Sequence, residues 1–198
     1  MWTESQLVLA SHNTGKLKEF NALFASFGCE VLSQAALGVP SPEETGLTFI
    51  ENALLKARHA SQATGLPALA DDSGLVVPAL DGEPGLYSAR YAGLHASDAD
   101  NIERLLERLA DASDTDRRGY YICALALLRH ANDPDPIIAI GTWHGELLHT
   151  PRGQGGFGYD PIFLPEGGEQ TAAEMDPAIK NQISHRGKAV AHLLAQLQ

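Results

Sequence analysis

The N-terminal stretch most restricts the fold: a short apolar run at residues 6–10 (Gln6, Leu7, Val8, Leu9, Ala10) passes through a polar loop into apolar residues at helical spacing. Those residues are Leu17, Phe20, Leu23, Phe24 and Phe27, and Gly28 stands where such a helix would end. A strand that feeds a helix this quickly is one βα unit, and the pattern recurs. Residues 29–32 read as a second strand, followed by a Pro-rich acidic loop at 39–46 that holds Glu43 and Glu44. Thr48 and Glu51 have capping-box spacing, with Ile50, Ala53, Leu54, Ala57 and Ala60 forming one apolar face and Gly65 closing the helix. Residues 67–70 read as a buried strand that should leave the sheet at Asp71, Asp72, Ser73 and Gly74.

Ser97 starts another helix, whose inward face is Ile102, Leu105, Leu106 and Leu109. Its outer face and the next turn hold Asp98, Asp100, Glu103, Glu107, Asp111, Asp114 and Asp116, which read as a solvated surface. Residues 120–128 and 137–143 are β-rich runs joined by Asn132, Asp133, Pro134, Asp135 and Pro136, a hairpin-like connection. Ala189, Val190, Leu193, Leu194 and Leu197 make an amphipathic last helix. Alternating strands and helices with one hairpin predict an α/β chain built on a mixed sheet. At 198 residues without repeats or linkers, 1–198 reads as a single domain, with room for two closely joined lobes.

Composition narrows the partners. The net charge of −11 disfavours nucleic acid and anionic membranes as partners, although a small phosphorylated ligand needs only a local basic pocket. No apolar run approaches the ~20 residues of a membrane helix. The first residues carry no basic and apolar leader pattern, and Cys29 and Cys123 each lie in apolar surroundings outside any C-x-x-C pair. The expectation is a cytoplasmic protein with two buried thiols.

Several loops carry chemistry. Ser11, His12, Asn13, Thr14, Gly15 and Lys16 join a strand to a helix N-terminus, where open N–H groups and a lysine suit phosphate; a plain turn with a solvated lysine fits equally. Residues 153–158 match G-x-G-x-x-G literally, but Pro151 before and Pro161 after deny that loop the helix a dinucleotide site needs. Its glycines instead let Phe157 and Tyr159 project beside Asp160, unless the stretch is only a tight turn. Adjacent residues of an extended chain face opposite ways, so Asp71 and Asp72 should have different surroundings, one structural and one in a cleft. A cleft acid, with Glu43 or Glu44, would suit Mg²⁺ and could orient or deprotonate water. Lys16, Lys56, Lys180, His185 and Arg186 make up much of the cationic inventory and lie near these loops. The histidines show no H-x-x-x-H or H-E-x-x-H spacing, which disfavours a zinc site, and no G-x-S-x-G elbow is present.

Six segments occur in an order that resembles one family: 11–16, 43–53, 70–75, 84–91 (Pro-Gly-Leu-Tyr-Ser-Ala-Arg-Tyr), 156–161 (Gly-Phe-Gly-Tyr-Asp-Pro) and 184–187 (Ser-His-Arg-Gly). It is the inosine triphosphate pyrophosphatase-like family, which acts on non-standard purine nucleoside triphosphates. The resemblance implies an α/β fold with a long mixed sheet flanked by helices, two lobes with a central cleft, and a homodimer. It implies Mg²⁺-dependent hydrolysis of dITP, ITP and XTP to the monophosphate and pyrophosphate. Modified pyrimidine triphosphates as substrates, or a non-catalytic nucleotide-binding module, are the alternatives. Carried over, Asp72 is the catalytic acid and a metal ligand, and Glu43 the second ligand, with Glu44 beside it as the alternative. Residues Ser11, His12, Asn13, Thr14, Gly15 and Lys16, with Lys56, meet the phosphates. Ser73 touches substrate, and Phe157, Gly158, Tyr159, Asp160, Lys180, His185 and Arg186 enclose the nucleotide. His12 stands where the family commonly has glycine, which implies a differently shaped phosphate loop.

Overall fold

The computed structural model describes residues 2–198, apart from the side chains of Asp114 and Thr115. The expected acid at Asp114 therefore lies outside the described residues. Six strands form one sheet: β1 (Gln6–Leu9), β2 (Glu30–Ser33), β3 (Ala68–Val76), β4 (Arg118–Leu128), β5 (Ile137–Leu147) and β6 (Phe163–Pro165), in the order β2-β1-β3-β4-β5-β6. β1 runs parallel to β2 and β3, with Leu7 opposite Val31 and Leu9 opposite Leu69, whereas β5 and β6 are antiparallel. The sheet is mixed, as the alternation and the hairpin signal predict. The helices are α1 (Thr14–Phe24), α2 (Phe49–Thr64), α3 (Asp98–Arg108), α4 (Pro177–Ile183) and α5 (His185–Leu197). No described helix is long and apolar enough to cross a membrane.

The chain divides into two compact units, each gathered from separate segments: Met1–Asp72, Ala124–Ile140 and Ala189–Gln198 in one, Ser73–Cys123 and Gly141–Lys188 in the other. In the first, Ala53, Ala57 and Ala60 on one face of α2 pack with Val8, Ala68, Ala70, Ala126 and Leu128. Alanine on both sides lets helix and strand approach closely. In the second, Leu75, Val77, Ile102, Leu105 and Leu109 pack with Tyr121, Trp143, Ile162 and Phe163. Cys29 and Cys123 are both buried, and neither is in a disulfide.

The helix signals act as expected. Thr48 Oγ1 accepts the Glu51 N–H at 3.1 Å, and Gly65 ends α2 with φ 71°. Gly28 likewise follows a short 3₁₀ turn at Ala25–Phe27 with φ 66°. Two expectations fail. The chain does not leave the sheet at Asp71; β3 continues to Val76, because Leu75 and Val77 belong to the second core and draw the strand onward. Asp98 is not merely solvated, since its carboxylate accepts the Gly158 N–H at 2.6 Å.

Candidate active site

The strand period separates the paired aspartates. Asp71 is buried and takes a forked bond from Lys16 Nζ, at 2.9 and 2.7 Å. Asp72 faces the other way and is half-buried. Its Oδ1 accepts from Lys56 Nζ at 3.0 Å and its Oδ2 from Asn52 Nδ2 at 3.3 Å. Lys56 also donates to Glu44 Oε1 at 2.8 Å, so Asp72 and Glu44 converge on one ammonium group. Glu43, the ligand expected first, points to an exposed position; the structure brings its neighbour to Asp72 instead.

Asn52 explains the placement. Its Oδ1 accepts the Gly46 N–H at 2.8 Å and ties the acidic loop to α2. A Cβ on Gly46 would lie 2.6 Å from Asn52 Oδ1 and 2.7 Å from Glu51 Cβ, so only glycine permits this approach. Asn52 has no role among the sequence expectations. The available signal was its i,i+4 spacing from Lys56, which sets both on one face of α2.

Burial pushes the Asp72 carboxyl above its usual range; Lys56 and Asn52 oppose that shift and Glu44 adds to it. Burial also works against the charged Lys56, but Asp72 and Glu44 outweigh it and raise its pKa. A carboxyl whose pKa is raised thus lies beside an amine whose pKa is also raised.

The phosphate-loop candidates lie at the start of α1. Asn13 caps the helix, and its Oδ1 accepts from Gly15 N at 2.8 Å and Lys16 N at 3.1 Å. The N–H groups expected to be open are thus already capped, as asparagine at this position favours. Ser11 Oγ accepts the Asn13 N–H at 3.1 Å, and Thr14 is exposed as the first helical residue. His12 is exposed but held: Nδ1 lies 3.2 Å from Gln34 Nε2 and 3.1 Å from Ser41 Oγ.

The nucleotide-enclosing candidates gather in the second unit. Asp160 Oδ2 accepts the Phe157 N–H at 2.8 Å and pairs with Lys180 Nζ. Lys180 Nζ in turn lies 4.9 Å from the centroid of the Phe157 ring, which is 61% exposed. Tyr159 does not project with Phe157; it is buried, and its hydroxyl donates to Ser88 O at 2.9 Å. His185 opens α5 and stacks on Tyr121, with centroids 4.8 Å apart and planes 12° apart. Arg186 follows it, half-buried, and Ser73 follows Asp72 in β3, also half-buried.

The Ham1 family model matches residues 7–196. The chain belongs to the Ham1 family. It is 57% identical over 190 residues to the dITP/XTP pyrophosphatase of Halorhodospira halophila, covering 96% of this chain and 95% of that protein. It is likewise 57% identical over 194 residues to the dITP/XTP pyrophosphatase of Pectobacterium atrosepticum, covering 98% of each. Among solved structures, a HAM1 protein from Coxiella burnetii superposes with a TM-score of 0.94 at 50% identity over 98% of both chains. The resemblance drawn from the six motifs is borne out.

In this Ham1 chain the donor set around Asp72 is two carboxylates; the described residues hold no group of three or more His, Cys, Asp or Glu able to bind a metal. Hard oxygens in that number suit Mg²⁺, which binds through one or two carboxylates and completes its shell with water and substrate phosphate.

Proposed function

We propose that this chain is a dITP/XTP pyrophosphatase, hydrolysing dITP, ITP and XTP with water to the nucleoside monophosphate and pyrophosphate. Its work is to remove these purines from the pool before they enter DNA or RNA. The observation that carries the reading is Asp72 set against Lys56 and Glu44 in a Ham1 chain. Water attacks the α-phosphorus, the bond to the α–β bridging oxygen breaks, and pyrophosphate leaves. Asp72 takes the proton from the attacking water. Its raised pKa favours that task, because a general base works best near the operating pH. Lys56 stays protonated, orients the Asp72 carboxylate and offsets phosphate charge. Asp72 and Glu44, rather than Glu43, would hold Mg²⁺, which when bound supplies charge neutralisation and orientation of the phosphate oxygens.

The phosphates meet the side chains of the 11–16 loop, since Asn13 already caps the Gly15 and Lys16 N–H groups. Phe157 stacks on the base, a role Tyr159 cannot share from its buried position. Lys180, His185 and Arg186 supply donors to the 6-oxo group. A 6-amino purine would oppose donor to donor, and sites built this way discriminate by roughly 10⁴ or more. The same reading has the chain act in the cytoplasm as a homodimer, which solution mass would check.

The test is pyrophosphate release from dITP, XTP and dATP with Mg²⁺ and again with chelator. Chelator-sensitive release from dITP and XTP, with dATP nearly inert, is expected. Inorganic phosphate without pyrophosphate would overturn the reaction type. Turnover of modified pyrimidine triphosphates in preference to dITP would overturn the substrate class.

A further inference from the structure

Phe157 lies between two glycines with left-handed backbone, Gly156 at φ 72° and Gly158 at φ 60°. At Gly156 the choice is forced, because a Cβ would collide with Asp160 Oδ2. The ring is 61% exposed, so the backbone on either side has a large share in setting its aim. That backbone is held at two consecutive amides by two acids. The Phe157 N–H goes to Asp160, which also holds Lys180. The Gly158 N–H goes to Asp98 Oδ2 at 2.6 Å, across 60 residues of chain.

Asp98 is not needed to cap its own helix. Ser97 and Asp100 form the capping box of α3, with Ser97 N donating to Asp100 Oδ2 at 2.7 Å and Asp100 N to Ser97 Oγ at 3.2 Å. This leaves the Asp98 carboxylate for the glycine loop. The core side of α3 is fixed by Ile102 and Leu105, with Leu109 buried at its C-cap, so the acid is presented from a well-packed element.

We propose that Asp98 is a positioning residue for substrate binding: by holding the Gly158 amide it sets the Phe157 ring, and with it the Lys180 ammonium above that ring, for the purine. This rests on the reading that Phe157 meets the base. A charge-assisted hydrogen bond is among the stronger ones, so its loss is felt by the loop it orders.

The experiment compares wild type, D98A, D98N and D100A in steady-state hydrolysis of dITP, with exchange of the Gly158 amide proton followed by NMR. D98A should raise KM for dITP about tenfold with kcat changed by less than about threefold, the mark of lost binding rather than lost chemistry. D98N should recover most of the affinity, because its amide oxygen still accepts from Gly158. D100A breaks the capping box and should lower thermal stability while leaving KM near wild type, so lost stability alone does not imitate the effect. Unchanged KM in D98A, or a D100A variant that raises KM equally, would overturn the proposal. Should wild type release no pyrophosphate from dITP, the functional reading falls. Gly158 exchange then still decides whether Asp98 holds the glycine loop, with faster exchange in D98A supporting that hold and unchanged exchange overturning it.

Discussion

At the scale of single residues, the decisive fact is that one ammonium, Lys56, gathers two acids of which only one was firmly expected. Glu44 reaches Lys56 at 2.8 Å because Asn52 holds Gly46 against α2 and so fixes which of two adjacent acids turns inward. Replacing Glu44 with Gln should therefore raise the Mg²⁺ concentration for half-maximal rate by at least the roughly tenfold that losing even an outer-shell partner costs. Glu43→Gln should leave it near wild type. Titrating Mg²⁺ against rate for both variants checks this, and the opposite ranking would return the ligand role to Glu43. Asp72→Asn should cut kcat by about 10²–10⁴, the range for a lost general base. The sequence made it legible through strand alternation that Asp71 and Asp72 would differ, while the choice of Asp72 came from the family resemblance. It left Glu43 and Glu44 undecided because a loop has no period, and the tie that decides between them is a side-chain contact with a helix. Tyr159 was misread as projecting for the same reason, since its bond to Ser88 spans 71 residues.

At the scale of elements, the connection between β4 and β5 shows how a turn signal becomes an energetic fact. The prolines and Asx residues predicted the joint; the contacts show that one of its acids organises it. Buried Asp133 accepts from Arg129 N and Nε at 2.9 Å each through Oδ2, and from Arg129 Nη2 at 2.9 Å and Asp135 N at 3.0 Å through Oδ1. The Arg129 bonds hold its carboxyl far below the usual range, against the opposing effect of desolvation. The sign follows: a depressed folded pKa contributes stability above the unfolded value, near 3.9, and loses it progressively as the pH falls below that. Asp133→Asn should cost roughly 1.5–3 kcal/mol at pH 7, as hydrogen bonds to a charged group do. The gap between wild type and variant should narrow as pH falls from about 4 toward 2, because wild type alone gives up a charged partner. Urea unfolding at several pH values measures it, and a constant gap would mean the charge contributes nothing. Arg58 of α2 also reaches this joint, bonding Ala131 O at 2.6 Å and Asp133 O at 3.1 Å. No local pattern could announce that pairing.

At the scale of the whole molecule, the order of segments matters more than any single motif. Helices and strands were readable from their periods, and the mixed sheet from their alternation. That β3 would run on past Asp72, and that each unit would be assembled from separate stretches, depends on long-range partners that periodicity does not encode. The last stretch, Ala189–Gln198, belongs with the first, and Trp2 N donates to Leu197 O at 3.0 Å. Ala189, Val190, Leu193 and Leu197 are all buried there. Burying a Val or Leu side chain contributes roughly 1.5–3 kcal/mol, whereas a whole domain is stable by only about 5–15 kcal/mol. Ending the chain after Lys188 keeps every proposed substrate-binding residue in the sequence yet removes three large side chains from the first unit. The truncated chain should therefore lose its cooperative thermal transition in circular dichroism. Leu193→Ala in the full chain, at a cost of about 2–5 kcal/mol, should remain folded with a lower melting temperature and with its preference for dITP over dATP intact. A truncated chain that melts like wild type would mean the closing helix adds little; loss of dITP selectivity in folded Leu193→Ala would mean this core and base recognition are coupled.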